Sequence, residues 1–483
     1  MSTTVKKKNA VSYIHVVIMF VIMFGVSMIP PFGQITEIGM RVLGVFLGLI
    51  YGWIFVDFLW TSLFGYIALG LTGYTTITAA LSAGFGNAST LLVMITIAFA
   101  EVLNNVGVNS AIAYWLLSKK IFVGRPWLLI FGISSAAILM GVAGGGLAAI
   151  FLLWGVITTM AEINGYERKN RLISMLLAIV LYAVMSGAAV VPFQGAVILY
   201  GGWFTQGTGL TLPSAPFFGV GLIYVFATMF LIIIFSKVFL KVDASNFNIN
   251  EDLRRQYAEM PVNKYQKVGL ILLLVYFLGL LLPEIIPDAP LMGFCKELGV
   301  VGFSSIYMFV FAIWKNEEGK SVADIAGAFT RGISWPVMML MSVTFPLAEA
   351  LESADVGVMA TISEVCLPFL SSLGVTGLII LTTVVLAVIT QFMHNIVMGA
   401  LFIPFITPLV VQMGGNPYTC FFMMYLALCC AYATPAGSWM AGMLFGNEDV
   451  PTKNSYLFGW MFTIISLIIL ICLMPICNLV LVK

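Results

Sequence analysis

The hydrophobic positions of this chain come in long unbroken runs, with neither the two-residue alternation of strands nor a one-sided helical stripe. Apolar segments fall at about 13–29, 41–56, 58–73, 88–104, 126–161, 171–200, 215–240, 266–283, 295–314, 333–351, 375–412, 418–446 and 455–481. A helix needs ~20 apolar residues to cross the hydrocarbon core of a bilayer. Most of these segments therefore predict one membrane-crossing helix each. Two do not, because 126–161 and 375–412 hold 36 and 38 residues.

Charged flanks indicate what the two long segments do, since short cytoplasmic loops are enriched in Lys and Arg. Lys119, Lys120 and Arg125 precede 126–161, and Arg168, Lys169 and Arg171 follow it. Both ends should face the cytoplasm, so the segment is either two crossings or a re-entrant hairpin. Its middle holds Gly141, Gly144, Gly145 and Gly146, poor helix-interior residues at which the chain should turn. Segment 375–412 is the reverse case. No Asp, Glu, Lys or Arg occurs between residues 365 and 447, which suits the non-cytoplasmic side, and the most polar point is Gln391, His394 and Asn395.

Threading from a cytoplasmic N-terminus puts nearly every basic cluster inside; Arg41 and Lys296 are the exceptions. Lys6, Lys7 and Lys8 precede the run 13–29, no small-x-small cleavage site follows, and the run reads as an uncleaved first span. The reading gives an all-α polytopic membrane protein with about 11 transmembrane helices and two opposed re-entrant hairpins. Residues 1–240 form a first repeat and 268–483 a second. Between them, 241–267 carries five basic and four acidic residues and reads as a solvated cytoplasmic linker. The halves match at an offset near 250: Phe99-Ala-Glu101-Val-Leu103 resembles Leu347-Ala-Glu349-Ala-Leu351, and Tyr182 maps to Tyr432. Inverted repeats with broken segments at matched positions are a transporter architecture whose sites lie near the midplane.

Composition narrows the function. Residues are 61% hydrophobic and 9% charged, with a mean hydropathy of +1.06. Twenty-two Lys and Arg against 21 Asp and Glu leave a net charge of +1, with no basic surplus to hold nucleic acid. Two histidines, His15 and His394, exclude a poly-histidine metal site. Seven cysteines (Cys295, Cys366, Cys420, Cys429, Cys430, Cys472 and Cys477) lie in or beside apolar runs without a C-x-x-C pair, and read as small buried apolar residues. A lipid-modifying enzyme would need a clustered His/Asp/Glu or Ser/His constellation, and no nucleotide-binding motif supports ATP-driven pumping. The chain reads as a transporter and not an enzyme.

Three places can carry the chemistry. At the glycine turn, Gly144, Gly145 and Gly146 would bring backbone N–H groups to an anion at a hairpin tip; Gly141 and Gly145 also fit close helix packing through G-x-x-x-G. At the second tip, polar residues at this depth tend to face a pathway. Asn395 would coordinate a cation or hydrogen-bond a carboxylate, and His394 would hold an anion, shuttle a proton or pin the turn. The third place is a pair of broken spans, from Ser186 through Pro192 and Gln194 to Gly195, and from Ala433 through Thr434, Pro435 and Gly437 to Ser438. Proline frees carbonyls that can coordinate Na⁺, while half-helix N-termini attract anions. Elsewhere, Gly44, Gly48 and Gly52 form a packing stripe, Asp57 falls at a solvated turn, Glu101 and Glu349 sit near span ends, and Trp115 and Trp460 are interface anchors.

Over nearly its whole length the chain resembles the divalent anion:sodium symporter family of the ion transporter superfamily. Carrying that resemblance are the stretch from Arg41, Ala83-Gly84-Phe85-Gly86-Asn87, the Glu101 and Glu349 motifs, Val106-Gly107, and Ile333-Ser-Trp335-Pro336. It implies a homodimer in which each protomer has a scaffold and a part that slides like an elevator, the two hairpins and two broken helices forming the site. It also implies small organic anions of the di- or tricarboxylate kind, or sulfate, moved by alternating access across the cytoplasmic membrane. Coupling would be to Na⁺ or H⁺, with no cofactor and only the bilayer and the homodimer mate as further partners. Substrate ligands are then expected at Gly144, Gly145, Gly146, Gln194, His394, Asn395, Thr434 and Ser438. Cation ligands are expected at Gly144, Ser186, Asn395, Ala433 and Pro435. The family's tip signature Ser-Asn-Thr is replaced here by Gly144-Gly145-Gly146 and by His394-Asn395-Ile396. Three glycines offer no side-chain oxygen to a cation, and His394 points to a proton-linked mode. The alternative reading is a related carrier, a cation/proton antiporter or an oxyanion exporter.

Overall fold

The computed structural model describes residues 2–482 except 436 and is all-helical across the membrane-like segments. A leading helix, α1 (Ser2–Gly25), is followed by α2 (Glu37–Phe55), α3 (Leu59–Leu71), α4 (Ile77–Phe85), α5 (Ala88–Val106), α6 (Val108–Leu117), α7 (Pro126–Val142), α8 (Gly146–Ile163), α9 (Arg171–Ala189), α10 (Gly195–Thr208) and α11 (Ser214–Val238). A short α12 (Glu251–Glu259) intervenes. Then come α13 (Lys264–Ile285), α14 (Met292–Ile313), α15 (Ile325–Gly327), α16 (Trp335–Glu352), α17 (Val358–Ser372), α18 (Gly374–Ile389), α19 (Asn395–Gln412), α20 (Pro417–Cys429), α21 (Trp439–Phe445) and α22 (Thr452–Val480).

Among the described residues nine helices are long and apolar enough to cross a membrane, or ten if α16 and the turns before it, bent by 71°, count as one span. That is fewer than the eleven expected, because several apolar segments are divided into pieces shorter than a crossing. Segment 418–446, for example, becomes α20 and α21 with a non-helical stretch between them.

The few polar residues that interrupt the apolar runs end up as helix caps. Thr36, Thr76, Asn87, Asn170, Asn263 and Asn416 each accept a backbone N–H at the start of α2, α4, α5, α9, α13 and α20. A cap satisfies donors that have no partner inside the helix and is worth ~1 kcal/mol. Asp57 does the same for α3, accepting from the N–H groups of Leu59 and Trp60 while remaining exposed.

Glycine sets the closest helix contacts. A Cβ on Gly48 would meet Met23 Cβ at 2.5 Å, so the α2 stripe does serve packing, against α1. Between α7 and α9 the arrangement is reciprocal: a Cβ on Gly141 would lie 2.0 Å from the Val184 carbonyl, and one on Gly187 2.3 Å from the Ile138 carbonyl. The first hairpin arm and the helix that follows the hairpin are thereby held backbone to backbone. Helix α9 is buried along almost its whole length. At its centre the Tyr182 ring packs at a tilt against Tyr432 and Phe462, with ring centroids 4.6 and 4.2 Å apart, joining α9 to α22 and to the stretch after α20 in one core.

The linker departs from expectation. Rather than being solvated throughout, it is docked on the loop between α6 and α7. Phe247 and Ile249 are fully buried. Asn248 Oδ1 accepts from Gly124 N at 2.7 Å, and Arg254 Nη1 donates to the Ser118 carbonyl at 3.1 Å. Its apolar residues are too few to raise the local hydropathy, yet enough to seat it.

Candidate functional site

Both long segments turn where the sequence becomes glycine-rich or polar. In the first, α7 ends at Val142 and α8 starts at Gly146. Gly144 and Gly146 adopt φ of +78° and +45°, a left-handed backbone that side-chain-bearing residues rarely adopt. In the second, α18 ends at Ile389 and α19 starts at Asn395. The broken spans are also present, with α9 and α10 separated by residues 190–194, and α20 and α21 by residues 430–438.

Around the first tip the structure gathers Gly144, Gly145, Gly146 and Gln194. A Cβ on Gly144 would lie 3.8 Å from Gln194 Oε1. Gln194 is 7% exposed and its Nε2 has no hydrogen-bond partner. Beside Gly145 stands Asn109, at the start of α6. A Cβ on Gly145 would meet both Asn109 Oδ1 and the Met140 carbonyl at 2.7 Å. Asn109 is 4% exposed; its Nδ2 donates to Asn104 Oδ1 at 2.5 Å, and its own Oδ1 is unpartnered. The tip expected to lack side-chain oxygens thus has one supplied from another helix. The sequence reading passed over Asn104 and Asn109. Their signal was two amides flanking Gly107 within an apolar stretch, since polar groups at such depth seldom lack a function.

The N-termini of α8 and α10 meet here, and that of α19 lies level with the latter. Helices α10 and α19 pack in parallel: Tyr200 lies against Gly399, and Gly207 further along α10 lies against Pro404 and Pro408 further along α19. Gly195 starts α10 five residues before Tyr200, and Asn395 starts α19 four residues before Gly399. At 1.5 Å rise per residue the two N-termini lie at about the same level. Gln194 holds the N-cap position of α10 without a capping hydrogen bond from its side chain, and sits beside the turn into α8, close to where α8 starts. Open space adjoins both Gly146 and Gly195, where an added Cβ would find nothing within 4 Å.

The second tip is bolted to the second broken span. Gln391 is fully buried. Its Oε1 accepts from Ala433 N at 2.7 Å, and its Nε2 donates to the carbonyls of Cys430 at 2.8 Å and Ala387 at 2.7 Å. Thr434 Oγ1 donates to the Gln391 carbonyl, and Ser438 Oγ to the Ala431 carbonyl at 2.8 Å. The carbonyl oxygens of Thr390, Gln391 and Ala431 lie 3.0, 3.2 and 3.2 Å from where a Cβ on Gly437 would stand. Oxygen ligands are what a small hard cation takes, although those of Gln391 and Ala431 also accept from Thr434 Oγ1 and Ser438 Oγ.

Among the other expected residues, Pro435 is exposed in the turn and Ser186 is buried within α9, just before the break. Asn395 Oδ1 accepts from Ile396 N at 2.9 Å. His394 Nδ1 accepts from the same N–H at 3.3 Å, capping α19, and its ring stands edge-on to Phe58 at 4.9 Å. The histidine pins the turn. Cys366 lies among residues whose side chains are not described; the other six cysteines are free. No group of three or more His, Cys, Asp or Glu able to hold a metal occurs among the described residues.

Comparisons with known proteins agree with this architecture. The model of the family described as the sodium:sulfate symporter transmembrane region matches residues 9–482. The sodium-dependent dicarboxylate transporter SdcS of Staphylococcus saprophyticus is 20% identical over 451 residues, covering 91% of this chain and 86% of the relative. The crystal structure of the YdaH transporter of Alcanivorax borkumensis shares the fold, with a TM-score of 0.60 and 14% identity over 83% of this chain and 87% of that one. With its family match spanning nearly the whole chain, this multi-pass membrane protein is a transporter, not an enzyme, and belongs to the sodium:sulfate symporter family, the divalent anion:sodium symporters.

Proposed function

We propose that the protein is a Na⁺-coupled carrier of small organic dianions of the dicarboxylate kind, working by alternating access as a homodimer whose hairpin-bearing part slides against a scaffold. The observation that carries this reading is the meeting of the α8 and α10 N-termini beside the unpartnered Gln194 amide, with the α19 N-terminus level with that of α10. Each helix N-terminus is equivalent to roughly half a positive charge, so three supply about one and a half. A dicarboxylate brings two negative charges. Neutral amides and backbone N–H groups come close to balancing it, and a co-bound cation completes the balance. The carbonyl oxygens beside Gly437 suit that cation. SdcS, a distant relative, is named for sodium-dependent dicarboxylate transport, which supports the same choice of substrate and ion.

His394 does not favour proton coupling in this reading, since its Nδ1 is engaged in capping. The test is uptake of labelled succinate into proteoliposomes under an imposed Na⁺ gradient, then under a proton gradient with no Na⁺. Na⁺-driven uptake supports the reading. Uptake driven by protons alone, or indifferent to Na⁺, refutes the coupling. Failure of every di- and tricarboxylate offered, with sulfate accepted, refutes the substrate class.

A further inference from the structure

Away from the transport site, α11 and α22 flank an apolar groove of about 660 Å³ lined by Leu231, Phe235, Phe239, Tyr456, Trp460 and Ile464, among others. The two helices run antiparallel. Tyr224 of α11 and Thr463 of α22 both reach Cys430, through contacts of 3.5 Å to its thiol and 3.3 Å to its carbonyl. At the other end, α9 ties both together: Arg171 Nη1 donates to the Leu240 carbonyl at 3.4 Å, and Asn454 Nδ2 donates to Ser174 Oγ at 3.0 Å. The end of α11 and the start of α22 therefore lie side by side at the start of α9.

That end is where the charge is. Lys453 lines the groove directly. Lys241 just beyond α11 and Arg171 at the start of α9 are exposed at this end, whereas Lys237 turns away, its ammonium over the Trp127 ring. Glu448, Asp449 and Asp243 are the nearby carboxylates in sequence. Tyr456 and Trp460 stand one and two turns along α22 from Lys453, the depth at which amphipathic rings settle at a bilayer interface. Below them the lining is wholly aliphatic and aromatic.

We infer that this groove is a binding site for an anionic diacyl phospholipid, its phosphate on Lys453 and the neighbouring basic groups and an acyl chain along Phe235, Trp460 and Ile464. The charge and apolarity are arranged as such a lipid is, with basic groups confined to one end of an otherwise apolar channel between two membrane helices. A zwitterionic lipid would fill the groove equally well but would leave the basic end without its counter-charge.

Native mass spectrometry of the detergent-purified full chain tests this, with phosphatidylglycerol, phosphatidylcholine and sn-glycerol 3-phosphate as separate probes. Phosphatidylglycerol should be retained several-fold over phosphatidylcholine, and glycerol phosphate not at all. Lys453→Ala should lower phosphatidylglycerol retention roughly fivefold, the worth of one basic residue beside an anionic headgroup. Ile464→Trp, at a position 53% exposed, should lower retention by obstructing the channel. Both variants should elute and melt like the parent. Equal retention of the two lipids overturns the inference, as does unchanged phosphatidylglycerol retention by both variants. Glycerol phosphate binding as well as the lipid would assign the site to the headgroup alone and overturn the role of the groove.

Discussion

Gln391 and Ala433, separated by 42 residues, are joined by a 2.7 Å hydrogen bond from the Ala433 N–H to the Gln391 side-chain oxygen. The same side chain donates to Cys430 and Ala387. One fully buried amide thus fixes the second hairpin tip to the break between α20 and α21. Gln391→Leu would leave the buried Ala433 N–H unsatisfied, at ~1–3 kcal/mol, while the Cys430 carbonyl would keep the Tyr432 N–H and Thr463 Oγ1. Uptake should be lost and the melting temperature in detergent should fall by several degrees. Gln391→Glu keeps the acceptor and loses the donor, and should fall between the parent and Gln391→Leu in both measurements.

Gly145 and Asn109 share one small volume. Gly145→Ser would press its Cβ on Asn109 Oδ1 and the Met140 carbonyl, and should cut uptake at least tenfold. Asn109→Ala alone should also cut uptake, by removing the side-chain oxygen that stands beside Gly145. If the two residues serve the same ligand, the double variant Gly145→Ser/Asn109→Ala should recover part of the activity. Such coupling between neighbours is read from a double-mutant cycle. Strictly additive losses would separate the two roles.

Gly437 leaves open a spot beside three carbonyl oxygens. Gly437→Ala places a methyl group 3.0–3.2 Å from the Thr390, Gln391 and Ala431 oxygens. The expected result is loss of Na⁺ stimulation, seen as an at least tenfold rise in the Na⁺ concentration giving half-maximal uptake. An unchanged Na⁺ dependence would remove the cation from this break.

His394 acts as a cap in this structure. His394→Asn supplies another good capping side chain, and should keep substantial uptake with an unaltered pH profile. His394→Ala should lose about 1 kcal/mol of helix-start stability and much of its transport. Complete inactivity of His394→Asn, with normal folding, would instead return the ring to the substrate or a proton path. Asn395→Ala, at the α19 N-terminus itself, should abolish uptake.

Much of this was legible in the chain because long apolar runs admit few interpretations. The length of 126–161 and 375–412 against the thickness of a bilayer required a turn in each, and Gly144 and Gln391 mark where those turns fall. The prolines and glycines at 192–195 and 435–437 marked the broken spans for a similar reason, since clustered together they disfavour a helix interior. Less visible were contacts made across elements. Nothing in the local pattern says that Asn109 on α6 reaches the tip between α7 and α8, or that Gln391 spans to Ala433. Phe247 and Ile249 show the same limit: two apolar residues among charges look solvated until the loop they dock against is in place. Hydropathy registers apolar length and is blind to the breaks inside it, so a pattern of apolar runs does not show which of them the structure divides into shorter helices.

The packed rings of Tyr182, Tyr432 and Phe462 tie α9 to α22 and to the stretch after α20 deep inside the molecule, whereas the link at 241–267 is seated elsewhere, on the loop between α6 and α7. Continuity of the polypeptide is therefore a convenience of synthesis more than a mechanical necessity. Two separate polypeptides divided within that link should reassemble through these packed faces, which co-expression and co-purification of the two pieces would check. A single gene encoding both halves and a pair of genes encoding one each are, for this architecture, physically neighbouring solutions.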